Sequence, residues 1–276
     1  MAKKIAIAAL ALVAISIPLM GIGLIFGVST TYIDGGGLHV QPEQPEEIRE
    51  LLSSYDGTAT VSITVASENL IIERGGTEFG YHITNRSGQS FEHSLSRDRL
   101  VIDQRSGRGA WVMFGWNNFV PGKRLPTITV YIPEDMYLEK LDIEMASGAV
   151  RVTGIDAASV EINGASGNFT ATDLTVDREL DVEVVSGSTH VSGDLRGDLT
   201  FNSVSGNLDI EIDGAAADYQ RAIEAVSGNI TVSDPSGKLN SSTLVTSDSS
   251  GNRQTSGANR LEIEAVSGNI SVRFLR

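Results

Sequence analysis

The chain of 276 residues contains no cysteine and only four histidines. Without cysteine, a disulfide bond, a thiolate metal site and a cysteine nucleophile are all excluded. No His-Glu-x-x-His spacing, phosphate-binding loop or Gly-x-Ser-x-Gly motif is present. We therefore predict no enzyme and no catalytic residues, and we interpret the scattered histidines as surface residues. They are His39, His82, His93 and His190.

Basic residues are also scarce. The chain has 21 Lys and Arg against 35 Asp and Glu, which gives a net charge of -14. Nucleic acid requires a basic surface, so it is not an expected partner. An acidic surface instead suits calcium or a cationic peptide. Because the sequence has no defined calcium-binding loop, we predict no cofactor, and any Ca²⁺ binding would be weak.

One long stretch, Ile5 to Val28, has no charged residue at all. Its 24 residues would span about 36 Å as a helix, which is enough to cross a bilayer. Lys3 and Lys4 precede it, so the positive-inside bias keeps residues 1–4 in the cytoplasm and exports the rest. We predict a single-pass cell-membrane protein with an extracellular C-terminal domain. The alternative is secretion after signal cleavage near Ser29.

The remainder of the chain repeats one register around serine. Seven serines have apolar residues two, four and six positions before them and three and five after them, and 31 of these 35 positions are apolar. From Ser147 to Ser227 the anchors are 19, 20, 19 and 22 residues apart. The anchors are Ser67, Ser147, Ser166, Ser186, Ser205, Ser227 and Ser267, and all but the first precede a glycine, namely Gly148, Gly167, Gly187, Gly206, Gly228 and Gly268.

Alternation on both sides of the serine predicts two short strands with one buried face, joined by a corner at Ser-Gly. Glycine suits a corner because a sharp bend often needs a positive φ. Since such a unit cannot bury its apolar face alone, successive units must stack. The predicted fold is all-β: a single-stranded β-solenoid, or β-helix, of about 20-residue rungs after an N-terminal transmembrane helix. An asparagine follows Ser-Gly at four of the corners. These asparagines either form a stacked ladder along the solenoid or are present simply because asparagine favours turns. They are Asn168, Asn207, Asn229 and Asn269.

The same patterns divide the chain into segments. Pro45 precedes an apolar and charged stretch that is typical of a short helix. Ser, Asn, Asp and Gly dominate a later stretch, which predicts a loop or loose hairpin. The predicted segments are a cytoplasmic tail at 1–4, the anchor at 5–28, a spacer at 29–56 with the short helix at 46–52, and the solenoid ectodomain at 57–276, with an irregular part at 73–127 and a polar excursion at 233–260.

These residues resemble the bacterial putative-adhesin family of Ser-Gly-Asn β-strand-repeat proteins. The similarity covers residues 57–276 and depends on the stretch Ile132 to Asp135 followed by the repeated Ser-Gly pairs. Members of this family are often membrane-anchored and largely uncharacterised. The resemblance implies a cell-envelope β-solenoid with adhesion as the family label, a link to envelope stress in some members, and no catalytic residues.

Carboxylates dominate the outward positions three and five residues before the anchors. Because they alternate with buried positions, they predict one carboxylate-rich interaction surface. A solvated face that keeps an exported rod soluble would explain the same residues. The candidates are Glu144, Glu161, Asp181, Glu183, Glu224, Glu262 and Glu264, with Asp142 beside them.

Aromatic residues make up only 6% of the chain, yet four of them, including both tryptophans, lie close together. Such a cluster could stack on sugar rings or contact the membrane interface. Alternatively, it caps the first rung of the solenoid. The four residues are Trp111, Phe114, Trp116 and Phe119.

Two further features concern partners. Arg196-Gly197-Asp198 spells an integrin-type tripeptide on a predicted turn, where Gly and Asp are ordinary turn residues. The last rung, from Leu261 to Val272, would lie at the end of the stack, and an uncapped edge strand favours self-association.

Three hypotheses for function remain. The first is a non-enzymatic cell-envelope protein whose solenoid adheres to wall polymer, a host surface or another envelope protein. The second is an envelope-stress sensor or regulator that binds cationic peptides or lipid, and the third is a glycan-processing enzyme on a β-helix. A predicted cytoplasmic tail of four residues cannot signal without a partner protein, which favours the first hypothesis.

Overall fold

The computed structural model describes residues 32–34, 37–39, 47–84, 90–105, 126–244, 252–254 and 257–276. Nearly all of them are strand. The predicted anchor at 5–28 lies outside these residues, and no helix within them has the length and apolarity to cross a bilayer. In chain order the strands are β1 (Tyr32–Asp34), β2 (Gly37–His39), β3 (Ile48–Leu52), β4 (Thr58–Val65), β5 (Asn69–Arg74), β6 (Phe79–Thr84), β7 (Ser90–Leu95), β8 (Arg99–Arg105), β9 (Thr127–Ile132), β10 (Tyr137–Met145), β11 (Ala149–Thr153), β12 (Asp156–Leu195), β13 (Asp198–Ile212), β14 (Tyr219–Asp234), β15 (Gly237–Leu244), β16 (Asn252–Gln254), β17 (Asn259–Ser267) and β18 (Ile270–Phe274).

Apart from the β1–β2 pair, the strands form one solenoid. Each rung has a strand that leads into the Ser-Gly corner, which we call the leading arm, and a strand that leaves it, the trailing arm. In β12, β13 and β14 the backbone stays extended through the corner, so one strand holds both arms, and β12 holds two complete rungs. The other rungs are β4 with β5, β8 with β9, β10 with β11, and β17 with β18.

Neighbouring rungs pair in parallel with equivalent residues aligned, so that Ser205 lies between Ser186 and Ser267. Every residue at the predicted inward positions of the seven repeats is buried. The predicted all-β solenoid is therefore confirmed. Burial extends to the four inward positions that are not apolar, which are Gly164, Thr189, Ser203 and Arg221.

The spatial order of the rungs differs from their order in the sequence at both ends of the solenoid. The rung of β4 and β5 lies between that of β8 and β9 and that of β10 and β11. Likewise, β17 and β18 lie between β13 and β14. The last rung therefore does not lie at the end of the stack, because its backbone pairs with a rung on each side.

Each end of the solenoid is covered by a rung that runs in the opposite direction. At one end, β6 pairs antiparallel with β9, and β7 pairs antiparallel with β8. At the other end, β15 and β16 both pair antiparallel with β14. The stretches predicted as irregular at 73–127 and as a polar excursion at 233–260 thus supply the reversed strands that cover the two ends.

The short helix predicted at 46–52 is wrong, because Ile48–Leu52 form β3. This strand pairs antiparallel with β6, and Ile48 packs against the core. An isolated helix of seven residues is unstable in water, whereas the edge of β6 satisfies the backbone of β3 and covers its apolar side chains.

Glycine is needed at the corner because the rungs approach too closely there for any side chain. Gly187 has a φ of +131°, and a Cβ on it would lie 1.7 Å from the carbonyl oxygen of Gly167 in the neighbouring rung. The same close approach recurs along the column of corner glycines. At Gly148, a Cβ would meet the carbonyl oxygen of Glu68. The corner glycines therefore act as one stacked column.

Glu68 takes the place of glycine in the rung of β4 and β5. Its side chain is fully buried, and its Oε2 accepts a hydrogen bond from the backbone N–H of Ser67 at 2.6 Å. Burial raises the pKa of the Glu68 carboxyl, although hydrogen bonds from Ser67 and Gln104 act in the opposite direction. The folded state thus favours the protonated carboxyl, so Glu68 disfavours folding at neutral pH.

The asparagine ladder forms across three adjacent rungs. Asn269 Nδ2 donates to Asn207 Oδ1 at 3.2 Å, and the backbone N–H of Asn229 donates to Asn269 Oδ1 at 3.4 Å. Asn168 is not part of it, because Ser188 occupies the position next to Asn207. The ladder prediction is confirmed for these three residues.

We expect Gly187→Ala to lower the free energy of unfolding by more than about 2 kcal/mol, because the methyl group would meet backbone and the φ is unfavourable. Gly164→Ala is the matched control. A Cβ at Gly164 would lie 3.7 Å from Val184 Cγ2, so we expect it to be neutral or to stabilise by about 0.5–1 kcal/mol. Urea denaturation measures both, and equal effects would contradict the close approach of the corners.

Candidate interaction face

The outward side chains of the leading arms form two rows along the solenoid, which together we call the acidic face. Parallel pairing sets their order, and the inserted last rung places Glu262 and Glu264 before Ala222 and Glu224. All seven carboxylates predicted from the sequence lie on this face. In spatial order, one row reads Asp142, Glu161, Asp181, Thr200, Glu262 and Ala222, and the other reads Glu144, Asn163, Glu183, Asn202, Glu264 and Glu224.

Amide side chains separate some of the carboxylates. Asn163 Nδ2 donates to Glu161 Oε1 at 3.2 Å, and Asn202 Nδ2 donates to Glu183 Oε1 at 3.5 Å. Like charges on neighbouring strands repel, and an interposed amide both spaces them and donates to one of them. The alternation of Glu and Asn in the second row therefore reduces the repulsion along it.

A lysine neutralises one end of the acidic face. Lys140 Nζ lies 2.7 Å from Glu161 Oε2 and 3.8 Å from Asp142 Oδ2, which belong to neighbouring rungs. The hydrogen bond from Lys140 lowers the pKa of Glu161, whereas burial raises the pKa of Asp142 and of Glu144. One ammonium group thus bridges carboxylates of adjacent rungs.

The middle of the face lacks such a cation. The residue seven positions before the anchor is Lys140 in one rung but Glu179 two rungs further on. Burial, followed by the charges of Glu183, Glu161 and Glu179, raises the pKa of Asp181 to about 6. Burial also raises the pKa of Glu183. We call Glu179, Asp181 and Glu183 the acidic centre, and in the described part of the chain none of the three forms an ion pair.

A basic residue appears again on the far side of the acidic centre. Arg260 contacts Glu262 through its guanidinium group. Lys140 and Arg260 therefore flank the acidic centre in the two directions along the solenoid.

Other predicted sites have different outcomes. Within the described ranges, no group of three or more His, Asp or Glu side chains could hold a metal ion. The aromatic cluster lies outside the described residues, between the end of β8 and the start of β9. Its four residues are Trp111, Phe114, Trp116 and Phe119.

The Arg-Gly-Asp tripeptide lies at the bend between β12 and β13. Arg196 contacts Asp194 and lies 3.6 Å from Asp177, and Gly197 has a φ of +75° and leaves no room for a Cβ, which would lie 2.1 Å from the carbonyl oxygen of Arg178. Local structure accounts for the Arg and the Gly, so the motif supplies no argument for receptor binding.

Sequence reasoning missed a polar cluster at the end covered by β6 and β7. The Tyr81 hydroxyl donates to Glu50 Oε2 at 3.0 Å, and it lies 2.5 Å from His93 Nδ1. Burial raises the pKa of the Tyr81 phenol above its usual range. The three residues come from three different strands, so no spacing in the sequence connects them. His93 is exposed at the surface, as predicted, and its ring also contacts this cluster.

Comparison with known proteins places this solenoid in a family. The Toastrack DUF4097 family model matches residues 59–192 and again 135–273. A putative cell adhesion protein from Clostridium sporogenes is 12% identical, with 84% of this chain and 99% of that chain covered and a TM-score of 0.47. A putative adhesin from Bacteroides fragilis is also 12% identical, with 85% and 100% covered and a TM-score of 0.43. No curated protein matches the chain significantly.

We expect Asp181→Asn to remove part of the pH dependence of stability. Because the pKa of Asp181 is about 6 in the folded state, against an ordinary value of 3.8 for an aspartate, its stabilising effect is present below about pH 4. That effect is lost as the pH rises through 6, so the variant should have a higher Tm than the unchanged chain at pH 7 and a similar Tm at pH 4. Thermal unfolding followed by circular dichroism at both pH values measures this.

The control variant is Glu262→Gln, which lies in the same row but removes a carboxylate that contacts Arg260. It should not raise Tm at pH 7. A Tm for Asp181→Asn that does not exceed that of the unchanged chain at pH 7 would contradict the repulsion inferred for the acidic centre.

Proposed function

The chain belongs to the Toastrack DUF4097 family, and we propose that it is a non-enzymatic protein of the cell envelope that displays its solenoid for adhesion-like interactions. In this proposal residues 5–28 anchor the protein in the cell membrane and the solenoid stands outside the cell. Cleavage near Ser29, which would release the solenoid, is the alternative for localisation.

The observation that supports this proposal is the strict alignment of outward side chains along the leading arms. Equivalent positions recur on successive rungs about 4.8 Å apart, so one surface presents aligned side chains, most of them carboxylates or amides, at a regular spacing. A repeated surface binds an extended or repetitive partner through many weak contacts, whose combined affinity far exceeds that of each contact. This property suits adhesion better than the capture of a small molecule.

The charge of the acidic centre favours a cationic partner. Lys140 shows within the same face how an ammonium group fits, since its Nζ lies between Glu161 and Asp142 of adjacent rungs. A lysine of a partner placed two rungs further along would lie beside Asp181, with Thr200 opposite it in the next rung. We therefore propose a basic peptide segment of another envelope or surface protein as the ligand of the acidic face.

A glycan-processing enzyme has less support. The carboxylates of the acidic face lie on an even array of strands. The small pocket next to them is lined mainly by core side chains such as Ile143, Val150 and Phe169. Hydrolysis of a glycoside needs two carboxylates placed across a bound sugar, usually in a cleft. The regular spacing of these rungs instead suits a binding surface.

The aromatic residues Trp111, Phe114, Trp116 and Phe119 provide a second proposed contact. Their segment connects the two arms of the rung formed by β8 and β9, whereas the other rungs have only a short corner there. We propose that these side chains contact wall polymer or the membrane interface, since aromatic faces supply much contact area at low entropic cost.

We expect a lysine-rich peptide to bind the chain lacking residues 1–29 at low salt and to bind several-fold more weakly at physiological salt, where charges are screened beyond about 8 Å. The triple variant Glu179→Gln, Asp181→Asn and Glu183→Gln should lose most of this binding. The matched control is Glu73→Gln, Glu78→Gln and Glu134→Gln, which removes three exposed carboxylates that lie away from the acidic face. Calorimetry of all three proteins measures the effect.

The same proteins are tested against isolated cell wall and anionic vesicles, together with a Trp111→Ala and Trp116→Ala variant. Saturable wall binding that survives salt and disappears only in the tryptophan variant would support adhesion through the aromatic segment. Peptide binding by a protein that binds neither wall nor vesicles would support the sensor hypothesis. If the peptide produces no heat at low salt, the acidic face is not a ligand site.

A further inference from the structure

The last rung, formed by β17 and β18, fills a slot between two rungs that precede it in the chain. On one side it pairs with both arms of β13, and on the other side with both arms of β14. Until residues 259–274 occupy the slot during folding, the rungs of β13 and β14 each have one edge without a parallel neighbour. Such an edge readily accepts a further strand.

The sequence of this rung matches one wall of its slot. Ile223–Ile230 and Ile263–Ile270 are both Ile-Glu-Ala-Val-Ser-Gly-Asn-Ile. The two octapeptides lie side by side in register, with Ile223 opposite Ile263 and Ser227 opposite Ser267. The wall formed by β14 therefore already accommodates a copy of its own sequence, which a second chain also carries.

We propose that the slot between β13 and β14 is a strand-addition site that accepts the C-terminal rung of a second copy of this chain. Two copies that exchange these rungs form a dimer in which every slot is filled. This interaction does not depend on the acidic face or on its ligand.

The contacts that hold the rung are the same whichever chain supplies it. Besides the backbone ladders, these contacts include the hydrogen bond from Asn269 Nδ2 to Asn207 Oδ1 at 3.2 Å. Arg273 lies 3.0 Å from Glu211, and Arg276 lies 2.8 Å from Asp213. The exchanged and unexchanged forms therefore differ mainly in the connecting residues and in protein concentration.

The connection between β15 and β17 determines the concentration at which exchange begins. Residues 245–258, which include β16, link the rung to the rest of the chain, and a link of this length keeps the rung at an effective concentration of about the millimolar range. Exchange during folding should therefore increase with protein concentration, whereas filling of the slot from the same chain should not.

The absence of cysteine allows a direct test with single-cysteine variants of the full chain. One preparation carries Ser205→Cys and the other, with a mass tag, carries Ser267→Cys, because these serines lie opposite each other in the slot. They are unfolded together in denaturant, refolded at several protein concentrations and oxidised. We expect a disulfide-linked pair of unlike chains whose yield increases with concentration.

The matched control pairs Ser186→Cys with Ser267→Cys. Ser186 occupies the same exposed corner position, but one rung separates it from Ser267. The pair Ser227→Cys and Ser267→Cys borders the same slot from the other side and provides a second measurement. Exchange predicts several-fold more linkage for both adjacent pairs than for the control.

A chain that carries both Ser205→Cys and Ser267→Cys tests the geometry, since it should form the link within itself. If this chain links internally while mixed single variants link no more than the Ser186 control, the slot accepts only its own rung and the proposal is wrong. If the internal link fails, the same comparison with Ser227 and Ser267 decides the question.

Discussion

The close approach of backbones at the Ser-Gly corner is the constraint on which the rest of this structure depends. A side chain at Gly187 would overlap the carbonyl of Gly167, so each corner can lie only directly on the next. Once the corners are stacked, the alternation of each arm determines which side chains enter the core and which face outward. A shift by one residue would expose the core residues and bury the carboxylates.

The same register that fills the core also creates the electrostatic character of the acidic face. Asp142 and Glu161 lie opposite each other because the corners of their two rungs are stacked. Lys140 offsets part of the repulsion between these two carboxylates. At Asp181 no such compensation is seen among the described residues, and its pKa is correspondingly high. Aligned like charges that are only partly offset lower the free energy of unfolding. The same charges attract a ligand of opposite charge.

The sequence predicted the corners, the arms and the buried positions, because each of these follows from a local pattern of about 20 residues. It could not predict the order of the rungs, since Ile223–Ile230 and Ile263–Ile270 are identical and fit equally well beside either neighbour. It also could not predict the reversed rungs at the ends or β3, because alternation such as that of Phe79, Tyr81 and Ile83 in β6 does not reveal whether a strand pairs in parallel or antiparallel. The cluster of Glu50, Tyr81 and His93 was missed because three distant segments must meet before it exists.

The insertion of the rung of β17 and β18 near one end affects how the solenoid resists mechanical load. In a simple stack, a pull on the chain peels one outer strand at a time, and each step breaks one ladder. Here a pull transmitted through β18 acts on a strand held between two neighbours, so two parallel ladders must shear together. This end of the solenoid would therefore withstand more tension than the end of an ordinary stacked rod.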